Sequence, residues 1–390
     1  MKNVCIIIPR GLPVPAVKGG AIETLMGMLA DENEEKEKLK LTIISTYDEN
    51  AKELSVKYKN TKFIYIRKNL SYLLLSITIK IRNVIYKNKL NTYNEMCLKK
   101  IKKMSFDKII VEAGAIDQFL NFLKYFNKNK MILHLHSYCK SSSVIDNTFD
   151  KIIAPSNFIK TEWQKSSKIK RYYILKNSIN FKNFDKHIDA EKKESLKEKL
   201  GFKKENFIIG YFGRIIPEKG VKEIVKAYLK LNNDNIKLLL VGSYNFKTTE
   251  TSDYNTELEK TVLQSKGNIV ITGFVDNDVL YNYINIMDIC VFASLCEEAA
   301  QLTLLEAMAS QKAIICTKSG GNVEYADENA VIFINKEEDL INSLYKNMQN
   351  LYNNSNLRTK LSQEAYKQSL NYTQENYYNE FIKLIENMEE

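Results

Sequence analysis

The chain has 390 residues, of which 44% are hydrophobic and 27% are charged, and its formal net charge is +10. This length is too great for one ordinary core, so two domains are expected, and the composition is that of a soluble globular protein. The positive charge favours an anionic partner such as nucleic acid, an anionic membrane or a phosphorylated substrate. Lysine used as a solvated surface residue is the simpler explanation of most of it.

The six cysteines and three histidines are scattered, without a C-x-x-C pair or a Cys/His cluster. No disulfide framework or metal site is therefore expected, and a reducing, cytoplasmic compartment fits. No signal peptide is expected either, because Gly and Pro interrupt the short apolar run at the N-terminus. The apolar residues 70–79 are too few to span a bilayer.

Short apolar runs alternate with helical stretches rich in Lys, Glu and Leu in both halves of the chain. Buried strands separated by helices are typical of parallel sheets in α/β domains. The predicted strands are residues 4–8, 41–44, 63–66, 108–111, 131–136 and 151–154 in the first half, and 207–212, 236–241, 269–272, 289–293, 313–316 and 330–334 in the second.

A charged stretch without strand character, near residues 176–204, separates the two series. We therefore predict a first doubly wound, Rossmann-like domain at residues 1–178 and a second at 179–371, facing a cleft that holds ligands at the carboxyl ends of the strands. Residues 372–390 predict a final helix that packs back toward the first domain. One face of this helix carries Tyr377, Phe381, Leu384 and Ile385.

Two carboxylates with seven residues between them mark the segment 296–309. Glu298 precedes a predicted helix, and Glu306 lies inside it among apolar residues, where a buried carboxylate needs a partner. The free N–H groups of the helix start suit a phosphate, and carboxylates accept hydrogen bonds from ribose and sugar hydroxyls. Attraction of acids to a helix N-terminus would explain Glu297 but not Glu306. The segment therefore predicts a nucleotide-sugar site.

The loop after the predicted strand 207–212 contains Arg214 and Lys219 and leads into a helix that begins near Val221. Arginine offers a planar fork to phosphate oxygens, and lysine offers a mobile point charge. The loop predicts an anion site, with merely solvated cations as the alternative. Two glycine pairs, Gly19-Gly20 and Gly320-Gly321, also follow predicted strands. Each pair either lets a ligand approach the backbone or serves a turn that needs positive φ.

His134 and His136 end a predicted strand and lie on one face of it. A histidine in such a place is more often structural than catalytic, but His136 lies further toward the carboxyl end and is our candidate catalytic residue. The basic segment 57–103 mixes Lys and Arg with Tyr, Leu and Ile. It predicts an amphipathic helix with a solvated lysine face, or else a peripheral contact with an anionic membrane or a lipid-linked acceptor.

Together these motifs resemble the family 4 retaining glycosyltransferases, which have the GT-B fold. Residues 213–220 are similar to the family's G-R-x-x-x-x-K-G loop, and residues 272–275 to its T-G-F-V strand end. Residues 298–309 resemble its E-x7-E element, and residues 320–324 its G-G-x-x-E turn. Residues 12–22 show a weaker likeness to the surface-polysaccharide glycosyltransferases related to spore coat protein SA.

The resemblance implies a role for each matched residue. Arg214 and Lys219 would hold the donor diphosphate, with the amides of Leu302 and Thr303 near the phosphate or sugar. Glu306 would bind the ribose hydroxyls.

Four further roles follow from the same resemblance. Glu298 would contact the transferred sugar, and Gly273 and Phe274 would lie near the base. Gly19 and Gly20 would let the first domain close on the donor. His136 would lie near the reacting centre.

The implied activity is a metal-independent, retaining hexosyltransferase that uses a UDP-sugar and no other cofactor. Its acceptor would be a glycan or a lipid-linked hydroxyl in surface or spore-coat polysaccharide synthesis. Gln301 departs from the Gly of many members, which affects the expected loop shape and sugar preference. An inactive nucleotide-sugar-binding accessory subunit is the alternative. A Rossmann oxidoreductase lacks its G-x-G-x-x-G fingerprint here, and nucleic-acid binding has only the net charge in its favour.

Overall fold

The structure is a computed structural model that describes residues 1–85, 90–114, 116–243, 253–265, 267–337 and 339–388. The chain divides into two units. The first comprises Met1–Ser178 and Gln374–Glu390, and the second comprises Ile179–Thr373. Each unit contains one sheet in which every paired strand is parallel, with helices between successive strands. The predicted α/β class with two Rossmann-like sheets is confirmed.

The first sheet has seven strands in the order β3-β2-β1-β4-β5-β6-β7. Its inner strands are buried along their length because the helices cover both faces of the sheet. The strands are β1 (Lys2–Ile7), β2 (Leu39–Thr46), β3 (Thr61–Ile66), β4 (Lys108–Glu112), β5 (Met131–His134), β6 (Lys151–Ala154) and β7 (Arg171–Ile174). The edge strand β7 was not predicted, since its sequence RYYI is short and only partly buried.

The second sheet has six strands in the order β10-β9-β8-β11-β12-β13. Its strands are β8 (Phe207–Phe212), β9 (Ile236–Val241), β10 (Ile269–Ile271), β11 (Ile289–Phe292), β12 (Ala313–Thr317) and β13 (Val331–Ile334). All six lie within a residue or two of the predicted runs, because each is a short apolar stretch between turn signals.

The helices flank these sheets, and many begin with a side chain that accepts a hydrogen bond from the first turn, as a helix start requires. Such caps are Asp48, Asn91, Ser142, Ser156, Asp189, Asp339 and Asn354. The helices are α1 (Ala21–Lys36), α2 (Glu49–Ser55), α3 (Leu70–Ile85), α4 (Thr92–Ile101), α5 (Ser143–Thr148), α6 (Asn157–Gln164), α7 (Phe181–Phe184), α8 (Ala190–Lys199), α9 (Val221–Leu231), α10 (Asp253–Gln264), α11 (Asn277–Ile286), α12 (Leu302–Ala309), α13 (Leu340–Asn353), α14 (Ser355–Ser369) and α15 (Gln374–Asn387).

The C-terminal helix α15 packs against α1 and joins the core of the first unit, as predicted. Its Tyr378 ring is buried, and the Tyr378 hydroxyl donates to Oδ1 of Asn33 at 2.8 Å. The chain therefore returns to its first unit after completing the second.

Each sheet has one point at which the strand order reverses direction along the chain. This switch lies between β1 and β4 in the first sheet and between β8 and β11 in the second. The loops at the carboxyl ends of two such strands diverge to opposite faces and leave a crevice, which is where ligands bind in open α/β sheets. The sheet topology therefore gives each unit one favoured binding edge.

Candidate functional site

The matched motifs of the second unit lie at its switch point. Arg214 and Lys219 belong to the loop that follows β8, and Glu298 belongs to the loop that follows β11. These are the two strands between which the second sheet reverses, so the strand order alone brings the two loops side by side.

The Glu298 carboxylate connects the two loops. Lys219 Nζ lies 2.5 Å from Glu298 Oε1, and the Ser294 hydroxyl donates to the same oxygen at 2.5 Å. Glu298 is only 9% exposed, and a buried carboxylate requires such partners. Its second oxygen, Oε2, receives no hydrogen bond from another described residue. Glu298 is thus held in place with one acceptor still available.

The backbone around Glu298 is held by the turn at Gly320-Gly321. The Gly321 amide donates to the Glu298 carbonyl at 2.7 Å, and the Gly320 amide donates to Oε2 of Glu297 at 2.5 Å. The Glu298 amide donates to the Ser319 hydroxyl at 3.1 Å. Gly320 has a φ of +47°, which favours glycine. Both glycine amides therefore serve the Glu298 loop, which supports the turn interpretation of this pair.

Helix α12 presents one partly exposed face beside this loop. Leu302, Thr303 and Glu306 are only partly buried, whereas the other five residues of the helix are buried in the core. Residues one helical turn apart lie on the same face, so Glu306 stands above Leu302 and Thr303. Within the described chain, the Leu302 and Thr303 amides donate to no acceptor. The face therefore combines free N–H groups with a carboxylate.

The Glu306 carboxyl group has a raised pKa and no partner among the described residues. Burial raises the pKa of its carboxyl group to about 7, and no described residue donates a hydrogen bond to it. An acceptor that is removed from water without a protein partner is stabilised by any ligand hydroxyl that reaches it. The sequence suggested this property from the apolar surroundings of Glu306.

The Arg214 loop adjoins the start of α12. A Cβ built on Gly213 would lie 3.7 Å from Cγ2 of Thr303, so the two segments are in van der Waals range. The Arg214 carbonyl accepts a hydrogen bond from the buried Tyr211 hydroxyl at 2.5 Å, which fixes the backbone at this point. The Arg214 side chain is exposed and pairs with no described carboxylate. Its guanidinium is free to bind an anion.

Two glycines allow the loops of this edge to approach closely. Gly220 has a φ of +64°, and a Cβ there would lie 2.0 Å from the Ala293 carbonyl oxygen. Gly242 has a φ of +148°, and its Cβ would lie 1.9 Å from the Gly213 carbonyl oxygen. Any side chain at either position would push apart the loops that follow β8, β9 and β11.

Gly273 and Phe274 follow β10 at the same edge of the sheet. Gly273 has a φ of +74° and forms an isolated bridge with Gly242, which itself touches the Gly213 loop. Phe274 is 40% exposed. The structure therefore brings together Arg214, Lys219, Glu298, Glu306, Leu302, Thr303 and Gly273 along one edge of the second sheet.

His136 lies in the first unit, two residues beyond the end of β5. Its Nε2 is 2.5 Å from Oε2 of Glu112, and Nδ1 of His134 is 2.9 Å from the same oxygen. Glu112 is fully buried, and although burial opposes its ionisation, the two histidines lower its pKa to about 2. Burial and the neighbouring His134 in turn lower the pKa of His136, against the attraction of Glu112. Glu112 therefore remains ionised and fixes the orientation of the His136 ring.

Glu112 was not predicted as a site residue from the sequence. Its one signal was a lone carboxylate at the end of the apolar strand β4, which pairs with β5 so that Glu112 lies opposite His134. By residue type, Glu112, His134 and His136 could also hold a metal ion, contrary to the expectation drawn from scattered histidines. Donor atoms in a tetrahedral site with bonds of 2.0–2.1 Å lie about 3.3 Å apart. The 2.5 Å separation of His136 Nε2 and Glu112 Oε2 instead fits a hydrogen bond, whereas His134 Nδ1, 2.9 Å from the same oxygen, has no hydrogen-bond partner among the described residues.

The first unit has its own opening at its switch point. A cavity of about 190 Å³ lies at the carboxyl ends of β1 and β4, with Arg10, Asn91, Asn94 and Phe119 in its wall. Gly19 and Gly20 precede α1 in this unit, with φ values of +72° and +103°. The φ of Gly20 is one that residues with a side chain rarely adopt, so glycine is favoured there.

Comparison with known proteins agrees with this arrangement. The family model "Glycosyl transferases group 1" matches residues 192–368, which lie inside the second unit. The lipopolysaccharide 1,2-N-acetylglucosaminetransferase of Salmonella typhimurium is 25% identical over 229 residues, which are 56% of this chain and 58% of that protein. The capsular polysaccharide biosynthesis glycosyltransferase CapM of Staphylococcus aureus is 27% identical over 217 residues, 53% of this chain and 54% of that protein. The alignments thus span little more than half of these two relatives.

The whole chain matches a solved structure. Anabaena HepE, crystallised in complex with UDP and glucose, superimposes with a TM-score of 0.77 over 99% of this chain and all of HepE, at 15% sequence identity. The similarity covers both units, so the predicted GT-B fold is confirmed. The family match and the motifs at the second switch point assign residues 192–368, within the second unit, to the group 1 glycosyl transferases.

Proposed function

We propose that this chain transfers a sugar from a UDP-sugar to a hydroxyl of a glycan or lipid-linked acceptor, with retention of configuration. The proposal depends on one observation above all. The second switch point holds an exposed arginine, a Lys219–Glu298 pair and a Glu306 carboxyl group that lacks a protein partner. A nucleotide-diphosphate sugar carries a diphosphate that can bind Arg214 and Lys219, and hydroxyl groups that can bind Glu298 and Glu306.

Arg214, Lys219 and the α12 amides receive the diphosphate in this proposal. Charge develops on the leaving phosphate as the bond to the sugar breaks, and groups already fixed around that phosphate stabilise it without reorganisation. Two cations and the free N–H groups of Leu302 and Thr303 replace a divalent metal in this role. Transfer is therefore expected to continue in the presence of a chelator such as EDTA.

The two acids of the second unit divide the hydroxyl groups of the donor. Glu306 accepts hydrogen bonds from the ribose, which relieves its burial, and Glu298 uses its available oxygen for the transferred hexose. Phe274, exposed beside Gly273, offers its ring to the base. The structure of HepE with bound UDP and glucose supports a uridine donor, because that protein shares this fold.

The first unit receives the acceptor in this proposal. His136 lies near the reacting centre, Glu112 orients its ring, and Gly19 and Gly20 allow the loop before α1 to approach the donor. The relatives named above act in lipopolysaccharide and capsule synthesis, which supports an acceptor in surface or spore-coat polysaccharide synthesis for this chain. Retention without an evident carboxylate nucleophile favours attack on the same face as the departing phosphate.

An inactive, nucleotide-sugar-binding accessory subunit is the second candidate. The Lys219–Glu298 ion pair favours this candidate. In the pair, the charge of each side chain is neutralised by the other until a ligand binds to one or both of them. Binding and turnover distinguish the two functions. Release of UDP from a purified sample, with or without an acceptor, is expected of the enzyme and not of the accessory subunit.

Thermal-shift measurements with UDP-, GDP- and ADP-sugars test the proposal first. A ligand present at 100 times its Kd adds about 2.7 kcal/mol to the free energy of unfolding, which is readily detected. We expect the UDP-sugars to raise Tm the most. If no nucleotide sugar raised Tm, both the transferase and the accessory function would be wrong.

A further inference from the structure

Helix α3 of the first unit has two apolar faces, and only one of them is covered. Its buried or partly buried residues are Tyr72, Leu75, Ser76, Ile79 and Asn83, which recur at helical spacing and face α4. A second set of large aliphatic residues is between 53% and 80% exposed. This set, called here the α3 stripe, comprises Leu70, Leu73, Leu74, Ile77, Ile81, Val84 and Ile85.

The α3 stripe is continuous along the helix. With about 100° of rotation per residue, its seven members fall within about a third of the helix circumference, opposite the covered face. Only 20 large hydrophobic residues of the described chain are exposed, and seven of them are in this one helix. Single exposed aliphatic residues are normal, but a contiguous apolar patch marks an interaction site.

Side-chain hydrogen bonds to neighbouring residues of the chain cap both ends of the helix. The Tyr72 amide donates to Oδ1 of Asn69 at 3.1 Å and so caps the start of α3. At the other end, Nδ2 of the Asn83 side chain donates to the Leu90 carbonyl at 2.9 Å, and Oδ1 of Asn83 accepts from the Leu90 backbone amide at 3.0 Å. Because the opposite face of this capped helix contacts α4, the α3 stripe faces away from the first unit.

Positive charge borders the α3 stripe. Lys80 and Arg82 project along its two edges on the helical wheel, and Arg67 and Lys68 precede the helix. The helix sequence contains no Asp or Glu, and Lys80 and Arg82 pair with no described carboxylate. The chain as a whole has a net charge of +10. An apolar face with a cation at each edge is the pattern of a helix that lies in the interface of an anionic bilayer.

We propose that the α3 stripe inserts into the surface of an anionic membrane and anchors the first unit there. At 16 residues, α3 is shorter than the roughly 20 that a bilayer span requires, so the proposed contact is with one leaflet. Among the described residues, none of the helices meets the length and hydropathy of a membrane span. A second copy of this chain is a poorer occupant, because pairing of two α3 helices would bring Lys80 and Arg82 near the like charges of the partner. This inference is independent of the proposed transfer reaction.

Sedimentation of the full chain with lipid vesicles tests the proposal. We expect binding to vesicles that contain phosphatidylglycerol, weak binding to phosphatidylcholine alone, and release as the salt concentration rises. In the doubly substituted variant Leu74→Glu and Ile77→Glu, binding should be lost, because two charges then replace apolar side chains that are 57% and 56% exposed. A matched control, Leu229→Glu with Leu263→Glu, makes the same charge change at exposed positions of the second unit and should bind as the parent does.

A second pair of substitutions tests the role of the charges. Lys80→Gln with Arg82→Gln is expected to weaken binding to phosphatidylglycerol vesicles about fivefold per charge, which corresponds to about 1 kcal/mol each. All substituted positions are exposed, so circular dichroism and Tm should match the parent. Failure of the parent to bind, or equal binding by the Leu74→Glu and Ile77→Glu variant, would overturn the proposal. A parent dimer that this variant dissociates, without vesicle binding, would assign the stripe to a second copy instead.

Discussion

Both switch points of this chain contain a carboxylate removed from water, but the two carboxylates differ in their partners. In the first unit, Glu112 is fully buried, and its Oε2 lies within ion-pair distance of both His134 and His136, while its Oε1 has no hydrogen-bond partner among the described residues. In the second unit, Arg214 is exposed without a described partner, and Glu306 is partly buried with a pKa raised to about 7. The first arrangement orients a side chain, whereas the second is completed only by a ligand. We therefore expect substitutions in the second unit to affect donor binding and the departure of the nucleotide, and those in the first to lower kcat with little change in the KM for the donor.

The largest effect is expected for Arg214→Ala. Removing one preorganised group that stabilises developing charge lowers kcat on the order of 10² to 10³-fold. The side chain is exposed and unpaired within the described chain, so Tm of the free protein should not change. Release of UDP under saturating donor measures the loss. Lys226→Ala, which removes an exposed cation from α9, is the control and should keep full activity. Parental turnover in Arg214→Ala would refute the phosphate assignment.

The next largest effect is expected for Glu306→Gln. Loss of hydrogen bonds to a charged acceptor should weaken donor binding by about tenfold to a hundredfold. The pH dependence follows from the raised pKa of Glu306. The donor hydroxyl groups favour the ionised carboxylate, so in the parent the donor affinity should fall as the pH drops below about 7. Isothermal titration with a UDP-sugar at pH 6 and pH 8 measures both, and the variant should lose this pH dependence.

The same substitution should stabilise the free protein. Because the pKa of Glu306 is raised from 4.5 to about 7 on folding, the folded chain holds a proton that the unfolded chain releases. Stability contributed by this group is therefore lost as the pH rises through that window. Glu306→Gln removes the loss, so its gain in Tm over the parent should be greatest near pH 8 and smallest near pH 5. A lower Tm for the variant at pH 8 would show that Glu306 has a protein partner.

In the first unit, Glu112→Gln is expected to lower kcat by about tenfold, with little change in the KM for the donor. The amide keeps a hydrogen bond to the His136 ring but loses the charge that orients it. Glu112 also raises the pKa of His136, so the acidic limb of the pH–rate profile should move to lower pH in the variant. A purely structural Glu112 would lower Tm and leave the position of that limb unchanged, which separates the two roles.

Much of the second-unit site could be predicted because its signals are local. Gly213 to Gly220 lie within one loop, and Glu298 and Glu306 lie within one loop–helix segment, so their spacing is readable in the sequence. The strands were found for the same reason, since each is a single apolar run. The chain order also placed α15 correctly, because no predicted strand followed it.

The remaining features depend on contacts between distant residues. Glu112 became visible only when the register of β4 and β5 set it opposite His134. The short edge strand β7 has no apolar run to mark it. In α3 both faces are apolar, so the sequence predicts an amphipathic helix there but does not show which face the first unit covers. These cases share one cause. Each feature is defined by how two elements pack together and is not encoded in the sequence of either element alone.

The smallest expected effect concerns Gln301, the residue immediately before α12. Its amide donates to Oδ1 of Asn322 at 3.0 Å, its side-chain oxygen accepts from Nδ2 of Asn322 at 3.1 Å, and its Nε2 donates to the Thr303 hydroxyl at 2.8 Å. The side chain thus ties the helix start to the turn that supports Glu298. Gln301→Gly removes the two side-chain bonds and frees the backbone, so the donor KM should rise by about two- to tenfold.

Sugar preference is the property that should change most clearly in Gln301→Gly. The loop between Glu298 and Thr303 encloses the expected position of the hexose, and without the Gln301 side chain it has more room and more freedom. Competition between UDP-glucose and UDP-N-acetylglucosamine, measured as the ratio of kcat/KM, should therefore shift toward the bulkier donor relative to the parent. Asn322→Ala removes the same bond from the other side, together with the bond from the Gln301 backbone amide, and serves as the comparison variant. If it shifts the ratio in the same direction, the preference depends on the bond between the two side chains, whereas an unchanged ratio in both variants would separate Gln301 from donor choice.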